Sequence, residues 1–291
     1  MAAFLIILST CTSLAEGLLI KRYNKSHEKG GFIFTSFISL FSMLFFLITD
    51  SGNFNVPTTL WVYAIIAGIL YSSASLLTYI ALGCGSFALS MLILSYALII
   101  PTGYGLIFLC EKPTLFTYLG FALIIISLFL VRAKKQADNK NIKISAKWVI
   151  CIGISFLFSG LFSVLTRLQQ IKFNDTATNE FMTIALSISF VCLFIIGLLK
   201  SPKDFTYVLR HGFLYTLGTG LSNGVTNMLG LLLVSEIIAM PISIASPVRA
   251  GAKIIVSFLL SAIILKEKFE KRQVIGVILG GLAIVCLNIN F

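Results

Sequence analysis

Charge is scarce in this sequence, and its scarcity excludes most soluble proteins. Charged residues make up only 11% of the 291 residues, whereas they are about a quarter of an ordinary globular chain. The chain has two histidines, and its six cysteines are scattered without a C-x-x-C pair. It contains neither a His-Glu-x-x-His zinc motif nor a P-loop. These absences argue against a metal centre, a disulfide framework and an enzyme, and we expect no cofactor.

Long hydrophobic runs are what the chain has in abundance. Hydrophobic residues amount to 58% of the sequence, and the mean hydropathy is +1.00. Ten apolar runs each come close to the roughly 17–25 residues that a membrane-spanning helix needs. In chain order these runs are 2–20, 31–48, 58–82, 86–109, 114–131, 148–166, 179–199, 212–234, 240–265 and 274–289. We predict an all-α integral membrane protein with ten transmembrane helices.

The net charge of +11 comes almost wholly from the loops between these runs. The loops after the odd-numbered spans hold 17 basic residues, and those on the opposite side hold 3. The positive-inside rule therefore predicts that both termini lie outside, in a plasma (inner) membrane. No basic helix or aromatic platform is typical of a nucleic-acid surface, so the expected partners are membrane lipid and a small-molecule substrate.

The two halves of the chain echo each other. Glu111-Lys112 and Gly120 recur as Glu267-Lys268 and Gly276, both at an offset of 156 residues. A second, looser correspondence aligns 13–24 with 163–174. Such internal similarity is typical of transporters built from structural repeats, whose substrate site lies near the membrane midplane.

The longest gap between runs sets the domain boundaries. Residues 132–147 are predicted to form a cytoplasmic linker between a first five-helix repeat, 1–131, and a second, 148–291. Since five is an odd number of spans, the second repeat must be inverted in the membrane relative to the first.

Two basic residues interrupt the ninth run. Lys253 falls near its middle, and Arg249 lies one helical turn away on the same face. Inserting a centred Lys or Arg costs roughly 2.5–3.5 kcal/mol, so each needs compensation. We predict that they offer positive charge to a carboxylated or anionic substrate. The alternative is that an ion pair or helix-terminal carbonyls satisfy them.

Glu16 is the one acidic residue well inside a run. Burial in an apolar site would favour its protonated form and make it a proton carrier for coupling. A neighbouring Lys253 would instead favour the carboxylate and make Glu16 a counter-ion. The sequence leaves both roles open, beside that of a solvated residue at the interface.

Five neutral polar residues are further candidates for substrate binding. Asn223 and Asn227 lie four residues apart in the eighth span, and amides at that depth need a partner on a ligand or on another helix. Tyr71 and Tyr79 of the third span are predicted to line a cavity, and Tyr96 of the fourth is predicted to face it.

Other residues suggest structural roles. Trp61 and Trp148 stand at the starts of spans, where tryptophans anchor helices at the membrane interface. Pro101 predicts a kink in the fourth span, because proline frees a carbonyl one turn back. Gly220 and Gly224 are spaced for close helix packing.

The repeated motifs carry a family resemblance. They are Tyr79-Ile80-Ala81-Leu82 running into 86–101, Glu111-Lys112-Pro113 with Gly120, and the second copy of 241–265, Glu267-Lys268 and 276–284. In these the sequence resembles the drug/metabolite transporter superfamily, in its ten-span, EamA-like form. The resemblance implies alternating-access transport of small metabolites, with a central cavity formed largely by spans 1, 3, 4, 6, 8 and 9.

A finer likeness concerns the first span. Leu14-Ala15-Glu16 followed by Lys21 resembles the first helix of the small multidrug resistance proteins. There a glutamate binds a proton and a cationic drug alternately. In the second repeat Thr166 stands where Glu16 sits, so the carboxylate is present once.

The sequence thus favours a secondary transporter of a small metabolite, an amino acid or another carboxylated or anionic solute. One alternative is proton-coupled efflux of organic cations centred on Glu16. Another is a membrane partner or receptor that transports nothing.

Overall fold

The computed structural model is all-helical over the part of the chain it describes. That part comprises residues 2–27, 29–49, 56–108, 115–131, 145–173, 177–234, 242–266 and 270–287. Its helices are α1 (Ala2–Ser26), α2 (Gly31–Thr49), α3 (Thr58–Cys84), α4 (Phe87–Ser95), α5 (Ile99–Phe108), α6 (Leu115–Val131), α7 (Ala146–Phe173), α8 (Thr178–Lys200), α9 (Pro202–His211), α10 (Phe213–Val234), α11 (Ile242–Ile263) and α12 (Lys271–Leu287). A 3₁₀ turn, Tyr96–Leu98, joins α4 to α5.

The hydrophobic runs become helices because a chain in lipid must satisfy its backbone hydrogen bonds within the segment. Within the described residues, five helices are long and apolar enough to cross a membrane: α1, α2, α3, α7 and α8. Large apolar side chains on them lie exposed, as Ile48 and Leu199 do. The protein is therefore a multi-pass membrane protein.

The fourth apolar run is a broken helix. The 3₁₀ turn lies about one turn before Pro101, at the place where a proline removes a backbone donor. Helix α9 occupies a gap that the hydropathy pattern leaves as a loop. It begins with Pro202 and buries Val208, whereas Lys203 and Arg210 are exposed.

The two halves of the chain are interleaved. Helix α1 packs on α10 and α11, and α7 packs on α3 and α4. Helix α2 packs on α8, and α6 on α12. Each of these contacts joins a helix of the first half to one of the second half, so neither half forms a separate bundle.

Glycines let α10 approach α2 closely. A Cβ added at Gly220 would lie 2.6 Å from the Cβ of Phe41, and one at Gly224 would lie 2.9 Å from that of Phe45. The close approach predicted from this spacing is confirmed. It brings Asn223, between the two glycines, against the buried face of α2.

Trp148 does not anchor the protein at the membrane interface, and that prediction is wrong. Its side chain is 5% exposed, and its indole N–H donates to the Oγ of Ser90 at 2.9 Å. Helix α7 begins at Ala146, so Trp148 lies in its first turn and packs against Gly85 between α3 and α4. Trp61, in contrast, is half-exposed.

Candidate functional site

A central cavity of about 380 Å³ lies among helices from six of the apolar runs. Its lining comes from α1, α3, α4 with the 3₁₀ turn, α7, α10 and α11. In the numbering of the apolar runs these are spans 1, 3, 4, 6, 8 and 9, the set that the family resemblance implies. We call the lining from α1, α10 and α11 the charged wall, and that from α3, α4 and α7 the uncharged wall.

Glu16 and Lys253 both line the cavity, from α1 and α11. The Lys253 ammonium acts electrostatically on the Glu16 carboxyl, and the Nδ2 of Asn223 donates to Glu16 Oε1 at 3.0 Å. Among the described lining residues these two are the charged ones, and their formal charges cancel. The cavity lining therefore combines an acidic and a basic side chain, rather than side chains of one charge type.

Asn223 connects four helices through a single amide. Its Oδ1 lies within hydrogen-bond distance of three donors: Ser42 of α2 at 2.9 Å, Tyr71 of α3 at 2.8 Å and Asn227 at 3.1 Å. Because those groups donate and the Glu16 carboxylate accepts, the amide is oriented with its nitrogen toward Glu16. The structure thus brings together Glu16, Asn223, Asn227 and Tyr71, with Lys253 beside them.

Ser42 is a member of this cluster that sequence reasoning missed. It is fully buried, and its hydroxyl also lies 2.8 Å from the carbonyl oxygen of Gly220. One signal was available: Ser36, Ser39 and Ser42 recur every three residues and mark a polar stripe on an otherwise apolar helix.

Serines of α1 are a second omission. Ser9, Ser13 and Glu16 recur at spacings of four and three, which places them on one face, and all three line the cavity. On α7, Ser159 and Ser163 also line it, and Ser163 corresponds to Ser13 in the looser alignment of the two halves.

Tyr79 and Tyr96 lie outside the cavity lining. Tyr79 follows Tyr71 by eight residues, which turns it about 80° away at 100° per residue. It packs against Phe34 instead, with ring centroids 5.3 Å apart. Tyr96, in the 3₁₀ turn, is buried, and its hydroxyl bonds to Ser127 of α6.

Arg249 belongs to α11, four residues before Lys253. Its side chain falls outside the part of the structure that is described, so its role in substrate binding stays a prediction.

One sequence pattern resembles a catalytic motif. Gly220-Leu221-Ser222-Asn223-Gly224 has the G-x-S-x-G spacing of a nucleophile elbow. That motif requires a sharp strand-to-helix turn, whereas these residues lie within α10. Among the described residues there is also no group of His, Cys, Asp or Glu that could hold a metal ion.

Comparisons with known proteins agree with this picture at the level of fold and family. Residues 146–289 match the EamA-like transporter family. A solved crystal structure is similar over 97% of this chain and 96% of its own, with a TM-score of 0.63 and 12% identity, which supports the fold alone. No curated protein sequence matches significantly. This match over 146–289 supports the drug/metabolite transporter superfamily and suggests a membrane transporter of small solutes rather than an enzyme.

Proposed function

We propose that this protein is a secondary transporter of a small amino-acid-like solute, working by alternating access. The observation that carries the proposal is that Glu16 and Lys253 line one cavity, where Asn223 donates to the carboxyl group of Glu16. A solute with both a carboxylate and an ammonium group can meet both charges, whereas a simple anion would lie beside Glu16 unpaired. The volume of about 380 Å³ suits a small solute.

The proposed architecture is ten spans in two inverted repeats, with both termini outside the plasma membrane. The interleaved packing supports it. Exchanging the repeats maps α1 onto α7, α10 onto α3 and α11 onto α4, and the contact of α1 with α10 then becomes that of α7 with α3. The same exchange maps the contact of α2 with α8 onto itself, and likewise the contact of α6 with α12.

Alternating access would act on the bonds around Asn223. Its contact with Tyr71 joins α10 to α3, and its contact with Glu16 joins α10 to α1. A bound ammonium group would compete for Glu16, and a bound carboxylate would compete for Lys253 and for the predicted Arg249. Substrate binding would thus loosen contacts between the halves, which is how a ligand shifts such an equilibrium.

The experiment is transport of labelled solutes into proteoliposomes that contain wild-type protein or a variant. We expect Lys253→Met and Glu16→Gln each to remove most uptake of zwitterionic amino acids, since each removes one of the two charges. Lys203→Met on α9 is the matched control, because Lys203 is an exposed lysine outside the cavity lining. Its uptake should equal that of the wild type.

The same assay tests the alternatives. Proton-driven flux of organic cations that is lost in Glu16→Gln and kept in Lys253→Met would favour proton-coupled efflux. Undiminished flux in both variants would contradict both residue assignments. A wild-type protein that moves none of these solutes would support a partner or receptor role.

A further inference from the structure

Ser9 is a buried residue of the cavity lining. It is 1% exposed and lines the cavity from α1. Within the described part of the chain, its Oγ is one of four buried side-chain atoms that make no hydrogen bond, beside those of Gln169 and Thr183. A buried polar group left unsatisfied costs about 1–3 kcal/mol. A buried hydroxyl without a hydrogen bond therefore indicates a ligand that binds to it reversibly.

The position of Ser9 separates it from the charged groups. It lies seven residues before Glu16 on the same face of α1, a rise of about 10 Å at 1.5 Å per residue. The head of a small solute held at Glu16 and Lys253 would therefore leave its other end facing Ser9.

Three other hydroxyl groups of the cavity lining already donate hydrogen bonds within their own helices. Thr10 donates to the carbonyl oxygen of Ile6 at 2.8 Å, and Ser95 donates to that of Met91 at 2.7 Å. Across the cavity, Ser163 donates to the carbonyl oxygen of Ser159 at 2.9 Å. Each of these can still accept a bond, whereas Ser9 can both donate and accept.

We infer that Ser9 marks a neutral polar subsite, which binds an uncharged hydrogen-bonding group, an amide or a hydroxyl, in the tail of the substrate. This rests on the proposed function, because Glu16 and Lys253 hold the head of the same solute. Ser9 would then set specificity: a site that hydrogen-bonds its substrate rejects an apolar analogue, since the buried hydroxyl is left unpaired.

The test compares solutes that share a head and differ in the tail. Uptake of glutamine and methionine, and of asparagine and leucine, is measured in proteoliposomes as competing pairs. The wild type should prefer the polar member of each pair. Ser9→Ala should reduce that preference about tenfold, the effect of one buried hydrogen bond, mainly by weakening uptake of the polar solute.

Two further variants make the result specific. Ser9→Thr keeps a hydroxyl and should keep the polar preference. Ser73→Ala removes a hydroxyl outside the cavity lining whose proton is used within α3, and it should leave the preference unchanged. Thermal unfolding of each variant in detergent checks that the fold is intact.

The outcomes separate the subsite from the proposed function. If the wild type moves these solutes and Ser9→Ala keeps the wild-type ratio, Ser9 binds only water and the inference is overturned, while the proposed function stands. A wild type that moves none of the four solutes overturns both.

Discussion

The two walls of the central cavity occupy corresponding places in the proposed repeats but differ in chemistry. The charged wall carries Glu16, Asn223 and Lys253, whereas the uncharged wall lines the cavity with hydroxyl and apolar groups. At the offset of 156 residues, Lys253 corresponds to Ala97, which also lines the cavity. In the looser alignment Glu16 corresponds to Thr166. Both halves thus build the cavity, but the charges come from one wall alone.

The largest effect should come from separating the two charges of the charged wall. Glu16→Gln alone or Lys253→Met alone removes one of two opposite charges and leaves the other in a low-dielectric site, and each should destabilise the protein by about 3 kcal/mol. The double variant removes both charges and should recover part of that loss. We expect a coupling free energy of about 1–3 kcal/mol from the double-mutant cycle, measured by thermal unfolding in detergent.

Additive losses would contradict this pairing. They would mean that Glu16 and Lys253 are satisfied by separate partners, and the charged wall would then consist of two independent sites.

The next effect concerns the amide that organises the charged wall. Asn223→Leu removes the donor to Glu16 and the shared acceptor of Ser42 and Tyr71. We expect a loss of about 2–3 kcal/mol in unfolding free energy, because buried polar groups are left unsatisfied. Asn227→Leu is the matched control, since it loses a single bond to Asn223, and about 1 kcal/mol is expected. Equal losses of unfolding free energy in the two variants would show that Asn223 does not organise the charged wall.

The sequence predicts the helices of this fold well because lipid leaves the backbone few alternatives. The break in the fourth span follows from Pro101 in the same way. Helix α9 is different: it has ten residues and is strongly amphipathic, so no apolar run marks it. It forms because Val208 is buried against α2 and α8 neighbours, which a hydropathy pattern does not record.

Some residues of the candidate site could be predicted from the sequence, and others could not. Glu16, Asn223 and Lys253 stand out because charges and amides are expensive inside apolar runs. Ser42 does not, since its partner Asn223 lies 181 residues away. Aromatic residues are the hardest to place from the sequence. Trp148 is an example, because its burial depends on the tertiary contact of α7 with α4.

The smallest effect should come from the uncharged wall. Behind its lining residues Ala74 and Thr78 lies Ser155 of α7, which is fully buried, donates to the carbonyl oxygen of Ala74 at 3.0 Å and contacts the hydroxyl of Thr78 at 2.6 Å. Ser155→Ala should lower the unfolding free energy by about 1 kcal/mol, because Thr78 can redirect its proton toward the cavity. Uptake in proteoliposomes should keep the charge preference of the wild type, since no charged group contacts this pair. A changed preference between zwitterionic and cationic solutes would mean that the uncharged wall also selects for charge, and that the chemistry is shared by both walls.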